Sequence, residues 1–588
     1  MTDSLLLSSF EFLDPVNEIL WGPWTPYALL AAGVLFTVWT RFIQWTVVTH
    51  GVDVIRGRYD NPSDPGAINH FQALSAALSA TVGLGNIGGV ALAVGTGGPG
   101  ALFWMWVVGV IGMALKAVEI TLAMLYRKTD DPENPSGGAM WVVEQVLGSK
   151  GGIWKVIGRT CGVFFCITLV IATFTNGNMF QAWSVAELTE RHFGVPKLST
   201  GIAMALIVGL VIVGGIKRIG SVAGTLVPVM CLMYLVSAFV VLAIHVTDIP
   251  SLLMTVIRSA FQPTEAVGAF VGGTAGWGFI QGMKRAFFSN EAGLGSAPIA
   301  HAAAKTSEAA REGIVGGLGP FIDTLCICTL TGLVILCTGT WNREPIGECA
   351  KPLSVEKTAQ RGEDTVVTFS VDSAAEPEDL PTDESGAWAV GDRFFVVGDA
   401  GDANQRETGS SRVKFFGEIT HGQEPSITWE PLSVDPRDWD GRLGEITIVS
   451  AAVYRDYAGA ELTAFAFDRE FPGLGGWLVP LAAWLFAISS MISWSYYGEQ
   501  GMIYLLGRQS VLPFKFVFLA GAVYAANWIE NADEMVKLMD LGTGAMLWSN
   551  IPIVLALGYL AVGSLSDYRR KLAEGKFKRH DEAQGSRE

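Results

Sequence analysis

Long apolar stretches dominate the chain, and they are separated by short polar loops. A run of about 18 or more apolar residues can cross the hydrocarbon core of a bilayer as an α-helix. Eleven such runs can be placed along the 588 residues, near 24–48, 71–95, 99–126, 160–185, 198–215, 221–246, 268–303, 312–339, 472–506, 511–530 and 535–563. The pattern predicts an all-α polytopic membrane protein with about eleven transmembrane helices.

One segment, residues 341–460, interrupts this pattern. It contains short β-branched and aromatic runs between Gly, Pro and Asp residues, which read VVTFSVDS, RFFVVGD, VKFFGEIT, SITWEPL and EITIVSAAVY. Runs of this kind, bounded by turn residues, are typical of β-strands. The segment is predicted to be a small inserted β domain. Its role stays open between a folded spacer and a module that captures substrate or binds a partner protein.

The distribution of Lys and Arg between the loops predicts the orientation of the chain, because basic loops stay on the cytoplasmic side. One alternating set of loops is rich in basic residues, whereas the other, without the β segment, has only Arg191, Lys197, Arg258 and Lys537. The N-terminus and the β domain are therefore predicted outside the cell, and the C-terminus inside. The predicted domains are 1–340 (helices 1 to 8), 341–460 (the acidic extracytoplasmic β domain), 461–566 (helices 9 to 11) and 567–588 (a basic cytoplasmic tail).

Charge and cysteine content exclude some classes of partner. Residues 341–456 carry twelve of the sixteen net negative charges, so the acidity belongs mainly to the β segment, and it disfavours nucleic acid as a partner. Six of the seven cysteines lie in apolar runs. An odd count without metal-ligand spacing argues against a disulfide framework or a zinc site, with a Cys337 to Cys349 bridge as an open alternative. No cofactor is expected.

The run that contains LSATVGLGNIGGVALAVGTGGPG, residues 78–100, has glycine at eight of these 23 positions. Glycine weakens a helix, and a backbone released from helical hydrogen bonds is tolerated in a membrane only where protein or a water-filled cavity satisfies it. Gly83, Gly85, Gly88 and Gly89 favour unwinding, and Asn86 adds a carbonyl for a cation and an amide for an anion. The stretch predicts a broken helix at a binding site, although close helix packing through small residues is an alternative.

A second break is predicted in KRAFFSNEAGLGSAPIAHAAA, at Ser289, Asn290, Glu291, Gly293 and Gly295. Gly293 lies 210 residues after Gly83, and each break falls in the first helix of a group of five spans. Paired interrupted helices in corresponding positions of two halves indicate an inverted-repeat transporter whose site lies near the membrane midplane.

Ionisable residues in apolar spans are costly, so they are functional candidates. Asp323 is the strongest, either as a cation ligand or as a hydrogen-bonded structural bracket. Glu291 is predicted to hold the second break or to accept a proton. Lys116 and Glu119, three residues apart, are predicted to form a structural ion pair. The basic pair at 284 and 285 is predicted to face an outer vestibule or to pair with acids.

Five stretches closely resemble the alanine or glycine:cation symporters, also called sodium:alanine symporters or amino acid carrier proteins: GLGNIGGVALAVGTGGPGALFWMW, GGIKRIGSVAGTLVP, RAFFSNEAGLGSAPIAHAAAKT, GPFIDTLCICTLTGLVIL and ISWSYYGEQ. The resemblance covers most of the chain outside residues 341–460. It implies eleven helices, the last ten in a five-plus-five inverted repeat with a leucine-transporter-like core and two broken helices. The β insertion departs from the compact family pattern.

The resemblance, with the reading of the two breaks, gives two sets of candidate site residues. The substrate set is Thr81, Gly83, Leu84, Gly85, Asn86, Gln181, Phe288, Asn290, Gly293 and Trp494. In it, Gln181 is expected near the substrate amino group, while Phe288 and Trp494 wall the pocket. The sodium set is Ser79, Thr81, Val82, Asn86, Ser289, Ser489, Ser490 and Asp323, in which the hydroxyls of Ser489 and Ser490 face carbonyls of the first break.

These observations predict sodium-coupled symport of alanine or glycine by alternating access across the cytoplasmic membrane of a prokaryote. The expected ligands are a small neutral amino acid and Na⁺, within the lipid bilayer. Proton coupling is the first alternative. A channel or a receptor that uses the β domain is a weaker one, and a membrane enzyme is disfavoured because no nucleophile has an adjacent base.

Overall fold

The computed structural model describes residues 10–22, 24–61, 63–131, 135–264, 268–361, 366–382, 388–406, 408–420, 425–440, 443–457, 459–529 and 532–577. The end of the predicted basic tail, 578–588, lies outside these residues. The described chain is mostly helical, as the apolar pattern predicts.

The helices before the β segment are α1 (Asp14–Leu20), α2 (Trp24–Trp39), α3 (Gln44–Ile55), α4 (His70–Thr81), α5 (Val90–Gly97), α6 (Gly100–Leu125), α7 (Ala139–Gly148), α8 (Gly152–Phe174), α9 (Phe180–Phe193), α10 (Lys197–Ile212), α11 (Gly215–Ile244), α12 (Ile249–Ser259), α13 (Ala275–Asn290), α14 (Ala297–His301), α15 (Ala309–Gly316), α16 (Leu318–Pro320) and α17 (Thr329–Cys337). The helices after it are α18 (Ala460–Glu470), α19 (Leu474–Leu506), α20 (Val511–Trp528) and α21 (Ala532–Ala573). π-Helical turns occupy Gly85–Gly89, Thr175–Met179 and Phe321–Cys328.

Eight helices of the described chain are long and apolar enough to cross a membrane, or nine if the bent pair α4 and α5 counts as one span. The count is lower than eleven for two reasons. Helix α10 has only 16 residues, and the predicted span 268–303 is divided between α13 and the short α14. The predicted span 24–48 is also interrupted: α2 ends at Trp39, and Arg41 and Phe42 adopt positive φ before α3 begins.

Burial separates the inner helices from the outer ones. Helices α6 and α19 are largely enclosed by other helices, whereas α11 and α20 expose most of their surface. The exposed positions of α11 are large apolar side chains such as Leu232, Val236 and Phe239, which suit contact with lipid. Helix α6 contacts α2, α13, α15 and α21, so it forms the centre of the bundle.

Eleven short strands lie between α17 and α18 in the part of this segment that the structure describes. They are β1 (Gly347–Glu348), β2 (Ser354–Arg361), β3 (Val366–Asp372), β4 (Arg393–Asp399), β5 (Asn404–Gln405), β6 (Arg412–Thr420), β7 (Ser426–Trp429), β8 (Leu432–Val434), β9 (Trp439–Asp440), β10 (Thr447–Ile448) and β11 (Ala452–Arg455). The largest sheet has the order β1-β11-β4-β6-β7, with β10 also paired to β4; β2-β3-β8 and β5-β9 form two further sheets.

The strand sequences explain which faces are buried. In β6, buried and half-buried positions alternate along RVKFFGEIT, which places Val413, Phe415 and Ile419 on the inner face. These side chains pack with Phe394 and Val396 of β4 in an apolar core separate from that of the helices. Cys349 joins this core and is a free thiol, as is Cys337, so the bridge left open by the sequence is not formed.

The strands contact the helical part where the chain leads into α13. Thr274 donates its backbone N–H to the carbonyl of Thr408 at 2.7 Å, and Ser410 donates its hydroxyl to the carbonyl of Val271 at 2.7 Å. Ala269 lies in an apolar cluster with Phe395. The β region is therefore attached to the start of the helix that contains the second predicted break.

Candidate functional site

The first break follows α4, where the chain leaves the helix at Val82 with φ −75° and ψ 99°. It re-enters a helix through the π-helical turn Gly85–Gly89, and α4 and α5 are bent by 55°. Asn86 closes the break, because its Oδ1 accepts the backbone N–H of Gly83 at 2.7 Å while its own N–H donates to the carbonyl of Gly83 at 3.0 Å. The side chain thus replaces helical hydrogen bonds that the break removes.

The second break follows α13, which ends at Asn290. Glu291, Gly293 and Gly295 adopt positive φ of 53°, 94° and 81°. A Cβ at Gly295 would lie 2.8 Å from Asn550, so this position requires glycine for space as well as conformation. The hydroxyl of Ser296 donates to Glu291 at 2.6 Å, and α14 begins at the next residue.

Asp323 joins the two breaks. It lies in the π-helical turn Phe321–Cys328 and is 0% exposed. Its carboxylate accepts hydrogen bonds from Asn86 Nδ2 at 2.6 Å and Ser289 Oγ at 3.0 Å, one from each break, and from Thr324 Oγ1 at 2.8 Å. A buried carboxylate is costly unless donors surround it, and these three donors satisfy that need. The arrangement couples the position of one broken helix to the other.

Charged side chains of α6 hold the backbone of the second break. Lys116 Nζ donates to the carbonyl of Asn290 at 2.5 Å, and Glu119 accepts the backbone N–H of Gly293 at 3.1 Å. Asn550 of α21 donates to the Gly293 carbonyl at 2.8 Å and to Glu119 at 2.5 Å. The predicted ion pair between Lys116 and Glu119 is therefore wrong. Each of the two side chains instead binds a backbone group that the break has released.

The predicted sodium residues fall into two groups. Ser489 Oγ lies 3.2 Å from the carbonyl of Ser79, whose own hydroxyl donates to the Ser489 carbonyl at 2.6 Å; Ser490 Oγ lies 3.4 Å from the carbonyl of Ala80. The first group is thus an oxygen-rich contact between α4 and α19, next to buried Val82. Asn86, Ser289 and Asp323 form the second group. Thr81 bonds back to carbonyls of its own helix at 3.4 Å.

The predicted substrate residues near the first break lie partly together. Gly83 and Leu84 are buried at the point where the helix unwinds. The ring of Phe288 lies 3.4 Å from the position that a Cβ on Gly85 would occupy, and both residues are half-buried. Phe288 also faces Phe180, with ring centroids 6.4 Å apart. An aromatic wall therefore adjoins the unwound glycines.

Gln181 and Trp494 lie around the π-helical turn Thr175–Met179 of the fourth predicted span. Trp494 is buried against Gly177, where a Cβ would come within 2.3 Å of its ring. Gln181 donates to the carbonyl of Asn176 at 3.3 Å, and within the described chain its buried Oε1 has no hydrogen-bond partner. An acceptor without a partner suits the recognition of an ammonium group. Asn290 and Gly293, by contrast, are occupied by contacts with Thr324 and Glu119.

Helix α18 covers the first break. Thr463 donates to the carbonyl of Ile87 at 3.1 Å, and a Cβ on Gly88 would lie 3.0 Å from the backbone nitrogen of Ala460. Burial raises the pKa of Glu461 to about 7, while its 2.5 Å pairing with Arg191 opposes the shift.

The sequence did not reveal that α18 covers the first break, nor did it reveal the contributions of Thr324 and Asn550. For Thr324 and Asn550, the available signal was a polar residue within an apolar run.

Comparisons with known proteins identify a family for this sequence. The sodium:alanine symporter family matches this sequence over residues 7–363 and 443–582. The match leaves out the middle of the β region. The sodium/alanine symporter AgcS of Methanococcus maripaludis is 32% identical over 552 residues, covering 94% of this chain and 95% of that protein. The putative sodium/proton-dependent alanine carrier protein YrbD of Bacillus subtilis is 29% identical over 569 residues, covering 96% and 93%.

A third relative is named for a different amino acid, glutamine. The probable sodium/glutamine symporter GlnT of Bacillus subtilis is 36% identical over 320 residues, which are 54% of this chain and 64% of that protein. The match with the family spans both breaks, Asp323 and the serine pair of α19. This chain therefore belongs to the sodium:alanine symporter family, a family of amino-acid transporters rather than enzymes.

Proposed function

We propose that the protein is a sodium-coupled symporter of alanine or glycine that works by alternating access across the cytoplasmic membrane. The proposal includes eleven transmembrane helices, the last ten as a five-plus-five inverted repeat, with the N-terminus and the β domain outside and the C-terminus inside. The observation that carries it is the bridge of Asp323 to Asn86 and Ser289. A ligand that moves either break must act on the other, which is what coupled transport requires.

In this proposal the amino acid binds at the first break. Its carboxylate meets the unwound backbone near Gly83 and Gly85, its ammonium group meets Gln181 Oε1, and Phe288 and Trp494 limit the side chain to a small one. Sodium binds between α4 and α19, where the hydroxyls of Ser489 and Ser490 and the carbonyls of Ser79 and Val82 supply oxygen ligands. A hydroxyl that now donates to a carbonyl can turn and offer a lone pair to the ion.

The first test is uptake of labelled alanine and glycine into proteoliposomes with an imposed sodium gradient. Uptake is expected with sodium and lost when choline replaces it at constant pH. Equal uptake in choline would contradict sodium coupling. If a proton gradient then drives uptake in its place, proton coupling, which the name of the relative YrbD includes, becomes the better reading.

The second test is the Asn86→Ala variant, which removes the amide shared by the first break and Asp323. We expect uptake to fall by about a hundredfold, because two hydrogen bonds that shape the site are lost. Thr331→Val is the matched control: Thr331 is equally buried, but its hydroxyl bonds to Tyr234 rather than to either break. Normal uptake by a folded Asn86→Ala protein would contradict the proposed site.

A further inference from the structure

Three buried residues form a cluster that the proposed transport site does not use. His70 begins α4, His301 ends α14, and Glu312 lies in α15. All three are 0% or 1% exposed. Helix α4 has 12 residues, so the cluster lies about 18 Å of helix away from the first break. It joins the far ends of both broken helices, on the side of the bundle that the basic loops predict to be cytoplasmic.

The carboxylate of Glu312 bridges the two imidazoles. Its Oε1 lies 2.5 Å from His301 Nδ1, and its Oε2 contacts His70 Nδ1. Because a carboxylate only accepts hydrogen bonds, both histidines must carry a proton on Nδ1. Each neutral ring then keeps a lone pair on Nε2, and within the described chain neither Nε2 has a hydrogen-bond partner. Each histidine therefore retains a site for one further proton.

A partly exposed carboxylate lies beside one end of the cluster. Asp60 Oδ1 lies 3.9 Å from His70 Nε2, and the Asp60 side chain is 38% exposed. The distance is longer than a hydrogen bond. The cluster therefore comes close to solvent at His70, and Glu312 connects this residue to His301.

The other charged groups around the cluster are bound elsewhere. The guanidinium of Arg127 donates to four carbonyls of the loops that flank α4 and α14, and its charge also acts on Glu312 and on Asp64. Arg311 points away, to Tyr568 and to the carbonyl of Tyr59. On α3, His50 lies 2.9 Å from Tyr568. Asp60 and Arg127 are thus the charged groups that act on the cluster, whereas Arg311 and His50 are both engaged with Tyr568.

We propose that His70, Glu312 and His301 form a proton-binding site that locks the cytoplasmic end of the two broken helices. A proton from solvent adds to Nε2 of a histidine, and no other bond changes. The resulting imidazolium carries a full positive charge, so its hydrogen bond with the Glu312 carboxylate becomes stronger than the bond from the neutral ring and holds α4, α14 and α15 together. In this proposal the path to the cytoplasm opens between α4 and α14, which are packed together, so protonation slows release. This inference depends on the proposed transport function.

The test measures sodium-driven alanine uptake while the pH is varied on one side of the membrane at a time. The wild-type rate is expected to fall about tenfold when one side, and only one, is acidified from about pH 7.5 to 5.5. His70→Gln and His301→Gln keep a donor for Glu312 but cannot gain a proton, so each is expected to lose most of this dependence. His50→Gln is the matched control, and it should keep the wild-type profile.

A second measurement separates failure of the cluster from failure of the transport proposal. The unfolding temperature of the full chain in detergent needs no substrate, and its dependence on pH reports protons bound by the folded protein. The wild type and His50→Gln should gain stability relative to His70→Gln and His301→Gln when the pH is lowered from about 7.5 to 5.5. If both cluster variants keep the wild-type pH dependence of uptake and of unfolding, the proposal is wrong. If no variant shows sodium-driven uptake but the unfolding difference remains, only the transport proposal fails.

Discussion

The two breaks share a composition of glycine and asparagine, yet the protein supports them differently. At the second break, Lys116, Glu119 and Asn550 occupy backbone groups that the helix has released. At the first break, Asn86 folds back onto Gly83, and the surrounding contacts are hydroxyls of Ser489 and Ser490 near carbonyls. The second break is therefore braced by charges of the protein itself, and the first keeps oxygen atoms that a ligand can take over.

This difference shows that a glycine-rich interruption does not by itself identify a binding site. What distinguishes a hinge from a site is whether strong, buried partners already satisfy the released groups. By that criterion the first break is the better candidate for ligand binding and the second for a fixed bend.

The largest effect is expected from Glu119→Ala. The substitution leaves the Gly293 N–H and the Asn550 amide without their acceptor, each at a cost of about 1–3 kcal/mol, so we expect about 3 kcal/mol of lost stability. Thermal unfolding in detergent measures it. Glu144→Ala is the control, because Glu144 pairs with Arg159 in a partly exposed position. An unfolding temperature unchanged by Glu119→Ala would show that the second break does not depend on this brace.

Asp323→Asn tests the connection between the breaks. The new amide presents a donor where the carboxylate accepts from Asn86 and Ser289, so the two breaks lose their shared partner. We expect alanine uptake to fall by about a hundredfold in a protein that still folds. Thr331→Val is the control, since Thr331 is also buried but bonds to Tyr234. Uptake within twofold of wild type would leave Asp323 with a purely structural role.

Ser489→Ala tests the ion-binding side of the first break. Removal of one hydroxyl ligand is expected to raise the sodium concentration for half-maximal uptake about tenfold, with little change at saturating sodium. Ser495→Ala serves as the matched control, because Ser495 is buried in the same helix and donates to the Ile492 carbonyl at 2.7 Å. An equal shift in both variants would contradict an ion site between α4 and α19.

The smallest effect is expected from removal of the β domain. Glu348 of β1 lies opposite Ala452 of β11, so residues 349–451 can be replaced by an Asn-Gly hairpin turn without moving the flanking helices. The deletion removes the contacts that Thr408 and Ser410 make with the chain just before α13, but it leaves both breaks intact. We expect uptake within about twofold of wild type. Loss of all transport would favour a receptor or capture role for the domain.

Local sequence signals predicted the parts of the fold that depend on local chemistry. Glycine-rich stretches identified both interruptions, since glycine weakens a helix wherever it occurs. The β-branched runs of residues 341–460 coincide with strands such as β4 and β6. The number of spans was less well predicted, because α10 has only 16 residues and the predicted span 268–303 is divided between α13 and α14.

The amino-acid sequence is sufficient to identify a membrane transporter of this family with two glycine-rich interruptions 210 residues apart. The pairs of residues that meet there are known only from the folded chain: Asn86 with Asp323, Glu119 with Gly293, and His70 with Glu312. These pairs are 237, 174 and 242 residues apart. Helix-breaking is a property of neighbouring residues, whereas satisfying a buried charge or a released backbone group depends on which distant helices pack together.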